Sequence, residues 1–304
     1  MKHLTSLFDL TTSEVHSILD RAARLKAAWR KGVREPLCAG RVLTQIFEKP
    51  SLRTRVSFEA AMMQLGGSAV FMTAKEAGLE GREQHDDIAK VVGGYSDVIV
   101  LRTFAQSLIE TFVEHAGKPV VNGLSDDYHP CQALTDVLTL QEHFGDVAGR
   151  TLAYIGDGNN VAKSLVLVCA HVGMRCTIGA PEGFQLSEEF LAQVRQQFPQ
   201  AQLEQFSNAQ DAAADADALY TDVWASMGQE EEKEQRAQIF RDFQVNTALL
   251  NVAKPQAAFM HCLPARRGLE VTDNVMSSPN SIVFPQAENR MHLAKGLFAW
   301  LLEQ

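Results

Sequence analysis

Short strand-like runs alternate with helix-like segments along this chain, and that alternation constrains the fold more than any other feature. In the first half the strand-like runs are residues 42–47, 69–72, 98–101 and 119–121. In the second half they are residues 151–155, 176–178, 218–220 and 257–260. Strands that alternate with helices form parallel sheets covered by helices. The sequence therefore predicts an α/β fold with two doubly wound parallel-sheet domains, the second of them Rossmann-like, joined by bridging helices.

The length of the chain favours two domains. A chain of 304 residues exceeds the usual size of one domain, and its hydrophobic content of 46% is ample for two packed cores. We place the first domain at residues 1–133 and the second at residues 134–287. Leucines at helical spacing near the end of the chain predict a last helix over residues 288–304, which is expected to pack back on the first domain.

Charge and cysteine content exclude several classes of protein. The formal net charge of −9 argues against nucleic-acid binding. No apolar run reaches the roughly 18 residues of a membrane-spanning helix, and residues 1–7 lead into polar sequence rather than an apolar signal core. Five cysteines are an odd number without the spacing of a disulfide framework. Reduced thiols and a cytoplasmic location are therefore expected.

Residues 47–59, Phe-Glu-Lys-Pro-Ser-Leu-Arg-Thr-Arg-Val-Ser-Phe-Glu, leave a predicted strand and enter a predicted helix. Ser51 stands at the N-cap, where free backbone N–H groups and the positive end of the helix dipole face outward. The hydroxyls of Ser51 and Thr54 and the guanidiniums of Arg53 and Arg55 complete a cradle for a phosphate-like dianion. The alternative is an ordinary capped helix with two surface arginines.

Three further polar side chains of the first half are candidates for the same site. Arg102 directly follows an apolar strand, and open parallel sheets bind ligands outside the carboxyl ends of their strands. His129 and Gln132 are three residues apart at a helix start, so both can face one side. Their N–H groups are suitable donors to a carbonyl oxygen that gains negative charge. A surface arginine and a structural histidine are the alternatives.

The second half begins like a dinucleotide-binding fold but lacks its fingerprint. The turn Gly-Asp-Gly-Asn-Asn at residues 156–160 follows a strand, and Val161 stands where a third glycine is required. A nucleotide-binding oxidoreductase is therefore disfavoured, although the two asparagines could simply shape the turn. Asp222 lies just past another strand, where its carboxylate could pair with a substrate ammonium.

His261 and Cys262 end the last predicted strand. Such a pair suggests either a thiol nucleophile or a metal site. Neighbours in a strand point to opposite faces, and no second Cys/His cluster completes a metal set. We therefore predict neither a covalent intermediate nor a bound metal.

Four motifs together resemble one protein family over essentially the whole chain. Residues 51–55, Ser-Leu-Arg-Thr-Arg, resemble the phosphate-binding signature Ser-x-Arg-Thr-Arg of carbamoyltransferases. His-Pro-Cys-Gln at 129–132, Asp-Val-Trp-Ala-Ser-Met-Gly at 222–228 and His-Cys-Leu-Pro at 261–264 follow in the family's order. The chain is similar to the ornithine branch of the aspartate/ornithine carbamoyltransferase family.

The resemblance implies a division of labour between the two predicted domains. The carbamoyl phosphate-binding residues would be Ser51, Leu52, Arg53, Thr54, Arg102, His129, Gln132, Cys262, Leu263 and Arg290. The ornithine-binding residues would be Asn160, Asp222, Ser226 and Met227. The catalytic residues would be Arg102, His129, Asp222 and Cys262.

The implied reaction is transfer of the carbamoyl group of carbamoyl phosphate to the side-chain amine of L-ornithine, giving L-citrulline and phosphate. The acyl carbon is already activated, so no cofactor is expected. Putrescine or an acylated ornithine is the alternative acceptor, and a non-catalytic homologue stays open. The sequence does not distinguish arginine biosynthesis from the arginine deiminase pathway.

Residues 75–83 depart from the family pattern. This polar, Gly-punctuated segment is predicted to be an exposed, mobile loop. In the family a loop at this place closes over the active site of a neighbouring subunit, and Gly78 stands where many members carry a substrate-contacting glutamine. The resemblance implies a homotrimer, or a multiple of trimers, with active sites between subunits.

Overall fold

The structure, a computed structural model, describes residues 1–225 and 232–303. The chain divides into two compact units. Unit 1 consists of Met1–Leu138 and Glu288–Gln304, and unit 2 consists of Thr139–Ala287. Within the described residues no helix is both long and apolar enough to cross a membrane.

Unit 1 contains a four-stranded parallel sheet in the order β2-β1-β3-β4. Its strands are β1 (Val42–Phe47), β2 (Ser68–Thr73), β3 (Val98–Arg102) and β4 (Val120–Leu124). Its helices are α1 (Thr12–Arg30), α2 (Leu52–Gln64), α3 (His85–Tyr95), α4 (Gln106–His115) and α5 (Pro130–Phe144), which continues into unit 2, with a 3₁₀ turn at Leu7–Asp9.

The core of unit 1 explains why its helices pack on the sheet. Ile46, Ile99 and Val120, from three neighbouring strands, pack with Val92 of α3 and Phe112 of α4. Burying a side chain of this size contributes about 1.5–3 kcal/mol. The strand-like runs in the first half of the sequence thus form the strands of this sheet, as predicted.

Unit 2 contains a five-stranded parallel sheet in the order β7-β6-β5-β8-β9. Its strands are β5 (Thr151–Ile155), β6 (Arg175–Gly179), β7 (Gln202–Phe206), β8 (Ala218–Thr221) and β9 (Ala258–His261). Its helices are α6 (Asn160–Val172), α7 (Glu188–Gln197), α8 (Ala209–Ala213), α9 (Lys233–Ile239), α10 (Thr247–Leu250) and α11 (Asp273–Met276), with a 3₁₀ turn at Arg241–Phe243. The final helix of the chain is α12 (Val283–Leu302).

The strand order of unit 2 reverses at β5, which is the doubly wound arrangement. The chain starts at the centre of the sheet, winds outward through β6 and β7, and then returns to the other side for β8 and β9. The predicted α/β class with two parallel sheets and a Rossmann-like second half is confirmed.

Two details differ from the sequence prediction. β7 was not predicted, because Gln202–Phe206 is a polar edge strand that lacks a continuous apolar run. The final helix begins at Val283, earlier than predicted. The predicted boundary at 133/134 and the division at 138/139 both fall inside α5, and α12 likewise carries residues of both units.

Candidate active site

The start of α2 is capped as the sequence predicts. Ser51 has an extended backbone, with φ −157° and ψ 113°, and its Oγ accepts a hydrogen bond from the Thr54 backbone N–H at 3.2 Å. The Ser51 hydroxyl also donates to Thr54 Oγ1 at 3.0 Å. The side chain of Leu52 is 74% exposed, so this residue offers the site its backbone N–H rather than its side chain. A helix N-terminus of this kind favours an anion.

Arg290 of α12 joins three elements of unit 1 at this helix start. Its guanidinium donates to Gln132 Oε1 at 2.7 Å and to Thr54 Oγ1 at 3.2 Å. Arg102, the last residue of β3, donates to the same Thr54 oxygen at 3.5 Å. All four side chains are buried. Unit 1 thus brings together residues that lie far apart in the sequence and that were predicted to form one site.

His129 lies among these cations. Its Nε2 is 3.5 Å from Arg290 Nη1. Burial lowers the pKa of His129 well below its usual value, and the positive charges of Arg290, Arg102 and Arg53 lower it further. The imidazole is therefore neutral at ordinary pH, which leaves it able to donate a hydrogen bond without adding a fourth positive charge.

Asp136 of α5 was not predicted to belong to this site. Gln132 donates its amide N–H to Asp136 Oδ1 at 2.7 Å, and both side chains are buried. The only sequence signal was the i, i+4 spacing of these two residues on one helix face, which is common and carries little information by itself.

In unit 2, Asp222 follows β8 and lies beside two other strand ends. Its Oδ1 accepts the Val223 backbone N–H at 2.8 Å and the Cys262 thiol at 3.1 Å. Its Oδ2 accepts a hydrogen bond from Asn159 at 3.4 Å. These residues follow β8, β9 and β5, so they share the carboxyl edge of the sheet, where open parallel sheets bind ligands.

Asn159, the neighbour of the predicted Asn160, contacts Asp222. The Asn159 side-chain oxygen caps α6 by accepting the backbone N–H groups of Val161 and Ala162, at 2.9 and 3.1 Å. It also accepts the Tyr154 hydroxyl at 3.3 Å. Asn160 is the first residue of α6, and sequence reasoning chose it from the family pattern alone.

His261 fixes the turn that follows β9. Its Nδ1 accepts the Leu263 backbone N–H at 2.8 Å, so its Nε2 carries the proton and donates to Glu270 Oε1 at 3.1 Å. Leu263 has φ +59°, a left-handed conformation that a leucine rarely adopts. The buried His261–Glu270 pair holds this strained turn and thereby places Cys262 against Asp222.

The prediction that strand geometry keeps the His261 and Cys262 side chains apart is wrong. Ligand atoms of Asp222, His261 and Cys262 lie within 4.8 Å of one another, a separation that could hold a metal ion. The alternation of side chains along a strand does not apply to His261 and Cys262, because Cys262 lies beyond the end of β9. Both imidazole nitrogens are nevertheless engaged, one by Leu263 and one by Glu270.

Two other predictions have different outcomes. Ser226 and Met227, predicted to bind ornithine, lie outside the described residues. The segment 75–83 was predicted to be an exposed, mobile loop. It consists of turns with six of its nine residues exposed, but Gly78 and Leu79 are buried, and Leu79 packs in the core with Ile88. Gly78 has φ +81°, a conformation in which a glutamine side chain would be strained.

Comparison with known proteins defines the class to which this fold and these sites belong. Residues 2–142 match the carbamoyl-P binding domain of aspartate/ornithine carbamoyltransferases, and residues 148–301 match their Asp/Orn binding domain. The chain belongs to the aspartate/ornithine carbamoyltransferase family.

The individual relatives that the chain matches are named ornithine carbamoyltransferases. The chain is 45% identical over 305 residues to an ornithine carbamoyltransferase of Acinetobacter baylyi, covering 100% of this chain and 98% of that one. It is also 45% identical to the ornithine carbamoyltransferase of Bacillus subtilis, over 99% of this chain and 94% of that one. The solved structure of the Pyrococcus furiosus ornithine carbamoyltransferase superposes with a TM-score of 0.96 at 44% identity, covering 99% and 97% of the two chains.

Proposed function

We propose that the protein transfers the carbamoyl group of carbamoyl phosphate to the side-chain amine of L-ornithine, giving L-citrulline and phosphate. The observation that carries this proposal is the buried arginine cluster at the start of α2, in a family whose members include ornithine carbamoyltransferases. A charged donor substrate explains why one unit buries several guanidiniums together.

The phosphate of the donor substrate would bind at the start of α2. Ser51 and Thr54 offer hydroxyls, Leu52 offers a backbone N–H, and Arg53 offers a guanidinium within electrostatic range of His129. Charge-assisted hydrogen bonds of this kind are about twice as strong as neutral ones. As the bond between the carbonyl carbon and the phosphate oxygen breaks, the phosphate leaves with the electron pair, and these groups stabilise the added charge.

The carbonyl oxygen of the same substrate would be polarised by buried donors. Arg102, His129, Gln132 and Arg290 would provide N–H groups. Arg102 and Arg290 converge on Thr54, and His129 and Gln132 both contact Arg290. Because the donors are already held in place, little reorganisation is needed when negative charge develops. The neutral state of His129 suits this role, since an added proton would repel the arginines.

The acceptor amine would bind in unit 2. Asp222 offers a carboxylate to an ammonium group, and we assign Asn160, Ser226 and Met227 to the rest of the amino acid. An aliphatic amine is largely protonated near pH 7, so it must lose one proton before its lone pair attacks the carbonyl carbon. Asp222 and Cys262 share a hydrogen bond and are the candidates to influence that loss.

Two residues of the turn after β9 would approach the reacting carbamoyl group. The resemblance assigns Cys262 and the Leu263 carbonyl to this role. The support is that the His261–Glu270 pair holds the turn in one conformation. Fixed geometry of this kind is what a positioning role requires.

The function is tested by a citrulline-forming assay with carbamoyl phosphate and a panel of acceptors. Ornithine, putrescine, N-acetylornithine and aspartate would be compared under identical conditions. We expect a clear preference for ornithine in kcat/KM. Preference for another acceptor would retain the phosphate half of the proposal and overturn the assignment of the unit 2 residues. No turnover with any acceptor would favour a non-catalytic homologue.

We further propose that the chain assembles as a homotrimer, or a multiple of trimers, with active sites between subunits. Its support is an apolar surface on α2 and the edge strand β2, where Leu52, Val56, Met63 and Val70 are exposed. Light scattering should give at least three times the 33.5 kDa mass of the chain. Val56→Asp should lower that mass, whereas Val33→Asp, at an equally exposed valine, should not. A monomeric wild-type protein would contradict this assembly.

We also propose a cytoplasmic location. The five cysteines all lie among the described residues, and no disulfide joins them there. Burial raises the pKa of Cys38 to about 11 and that of Cys131 to about 12, so these two stay as unreactive thiols. Cell fractionation with an antibody would test this, and recovery with exported proteins would contradict it.

A further inference from the structure

Asp136 is a fully buried acidic residue next to the arginine cluster of unit 1. We propose that it is a positioning residue for the carbamoyl phosphate site: it holds the Gln132 amide in the one orientation that presents its oxygen to Arg290. This inference deepens the proposed function and rests on it, because the site that Asp136 would organise is the proposed donor-substrate site.

The hydrogen-bond donors and acceptors of Arg290, Gln132 and Asp136 allow only one orientation of the Gln132 side-chain amide. Arg290 has only N–H donors, so the Gln132 atom 2.7 Å from it must be the oxygen. The amide nitrogen then faces Asp136 Oδ1 at 2.7 Å, and Asp136 must accept. A rotated amide would direct its NH₂ at the guanidinium and its oxygen at the carboxyl group. Both contacts would be repulsive, so Asp136 and Arg290 select the same orientation.

The helix that carries both residues is well placed to hold this geometry. Gln132 and Asp136 are four residues apart on α5, so they share one helix face. The Gln132 side chain is 3% exposed and that of Asp136 is 0% exposed, which keeps water from replacing either hydrogen bond. The low local dielectric makes each bond stronger than it would be on the surface.

The effect of Asp136 reaches the proposed phosphate site through Arg290. One guanidinium edge is held by Gln132, and the other donates to Thr54 at 3.2 Å. If the amide rotates, Arg290 loses its fixed acceptor and its second contact becomes variable.

The first test compares Asp136→Leu with Thr135→Val. Leucine keeps the branched shape of aspartate but has no acceptor, whereas asparagine would keep an oxygen that can still accept the Gln132 N–H. Thr135 is the neighbouring buried residue of α5, and its hydroxyl donates to the Cys131 carbonyl at 2.7 Å. Asp136→Leu should raise KM for carbamoyl phosphate and the Kd for inorganic phosphate, measured by calorimetry, by about tenfold. KM for ornithine should change less than twofold. Thr135→Val should lower the melting temperature without moving either constant.

A second test reverses the direction of the hydrogen bond. Gln132→Glu alone places two acidic groups in contact, whereas Gln132→Glu combined with Asp136→Asn restores a donor to acceptor pair and keeps an oxygen toward Arg290. The double variant should bind phosphate more tightly than Gln132→Glu alone. This comparison keeps the proposal testable if Asp136→Leu does not fold.

The outcomes separate this proposal from the proposed function. If the wild-type protein binds phosphate and Asp136→Leu binds it equally well, the positioning role is wrong and the proposed function stands. Equal losses for both substrates, or no gain in the double variant, would also reduce Asp136 to a structural residue. If the wild-type protein binds no phosphate, the proposed function fails, and the role of Asp136 fails with it.

Discussion

The two candidate sites are built from opposite charges, and each is held together in the way that its charge requires. The site of unit 1 gathers arginines, which cannot lose their protons, so the chain must supply acceptors for them, such as Thr54 Oγ1 and Gln132 Oε1. The site of unit 2 centres on the Asp222 carboxylate, so the chain supplies donors, namely the Val223 N–H and the Cys262 thiol.

The two sites also differ in the elements that form them. In unit 1 the side chains come from two helix starts, one strand end and α12, and most of them are buried. In unit 2 they come from turns that follow three neighbouring strands. The site of unit 1 is therefore organised by contacts between side chains, whereas that of unit 2 is organised by the sheet edge. Substitutions in unit 1 should therefore disturb several residues at once.

The largest expected effect is that of Arg290→Gln. Arg290 donates hydrogen bonds to both Thr54 and Gln132. Its loss removes one proposed donor to the substrate and also leaves these two side chains without that contact. Turnover should fall by roughly 10²–10³-fold. The control is Arg175→Gln, which removes an exposed arginine paired with Glu204 in unit 2. Steady-state kinetics would measure the turnover of both variants. A loss of turnover of less than tenfold for Arg290→Gln would contradict the distinction between the two sites.

Arg53→Ala tests whether the donor and acceptor functions are separate. The Arg53 guanidinium is a proposed phosphate ligand in unit 1, and each charge-assisted hydrogen bond contributes about 1.5–3 kcal/mol. Binding of carbamoyl phosphate should weaken by roughly 100-fold, while binding of an ornithine analogue should change little. Calorimetry with each ligand measures the two effects. Equal weakening of both would argue against the division between the units.

Asp222→Asn is the corresponding change in unit 2. It removes the negative charge and leaves an amide that can still accept the Cys262 thiol. KM for ornithine should rise by about 10- to 30-fold, while KM for carbamoyl phosphate stays within a factor of about two. Asp217→Asn is a useful control, because this carboxylate pairs with Arg150 and Lys254 at the other end of the same strands. A larger change for carbamoyl phosphate than for ornithine would reverse the assignment.

The sequence predicted the fold and part of each site for physical reasons. Apolar runs alternating with helices specify parallel sheets, and Arg102 and Asp222 lie directly after such runs, where ligands bind. Ser51 could be identified as an N-cap because the residue type and the local pattern suffice. These features depend on neighbours along the chain.

Other features could not be predicted because they depend on distant partners. Asp136 becomes significant only because Gln132 also meets Arg290, which lies 158 residues away. The side chain of Asn159 caps α6 and also contacts Asp222, which follows β8, 63 residues later in the chain. The burial of Gly78 follows from the way Leu79 enters the core of unit 1. A single sequence records none of these contacts.

The smallest expected effect is on the stability of the protein at low pH, and it extends the electrostatic comparison of the two units. Unit 1 buries a second histidine, His292, whose pKa is lowered to about 3 by burial, and further by nearby cations that include Lys295 and Lys26. In the unfolded chain a histidine has a pKa near 6.5. Between these two values the unfolded state binds a proton that the folded state does not. The free energy of unfolding therefore falls as pH decreases from about 6.5 toward 3.

His292→Asn should reduce that acid sensitivity while it costs some stability at neutral pH. The slope that one such histidine contributes is at most about 1.4 kcal/mol per pH unit, and asparagine does not titrate in this range. Denaturant unfolding at pH 7.5, 6.0 and 5.0 would measure the free energy of unfolding of the wild type and the variant. Native-state hydrogen exchange would assign the loss to one unit, and protection in unit 1 should fall before protection in unit 2. An identical pH slope in the two proteins would show that His292 is not responsible, and loss of protection in unit 2 first would show that acid sensitivity does not originate in unit 1.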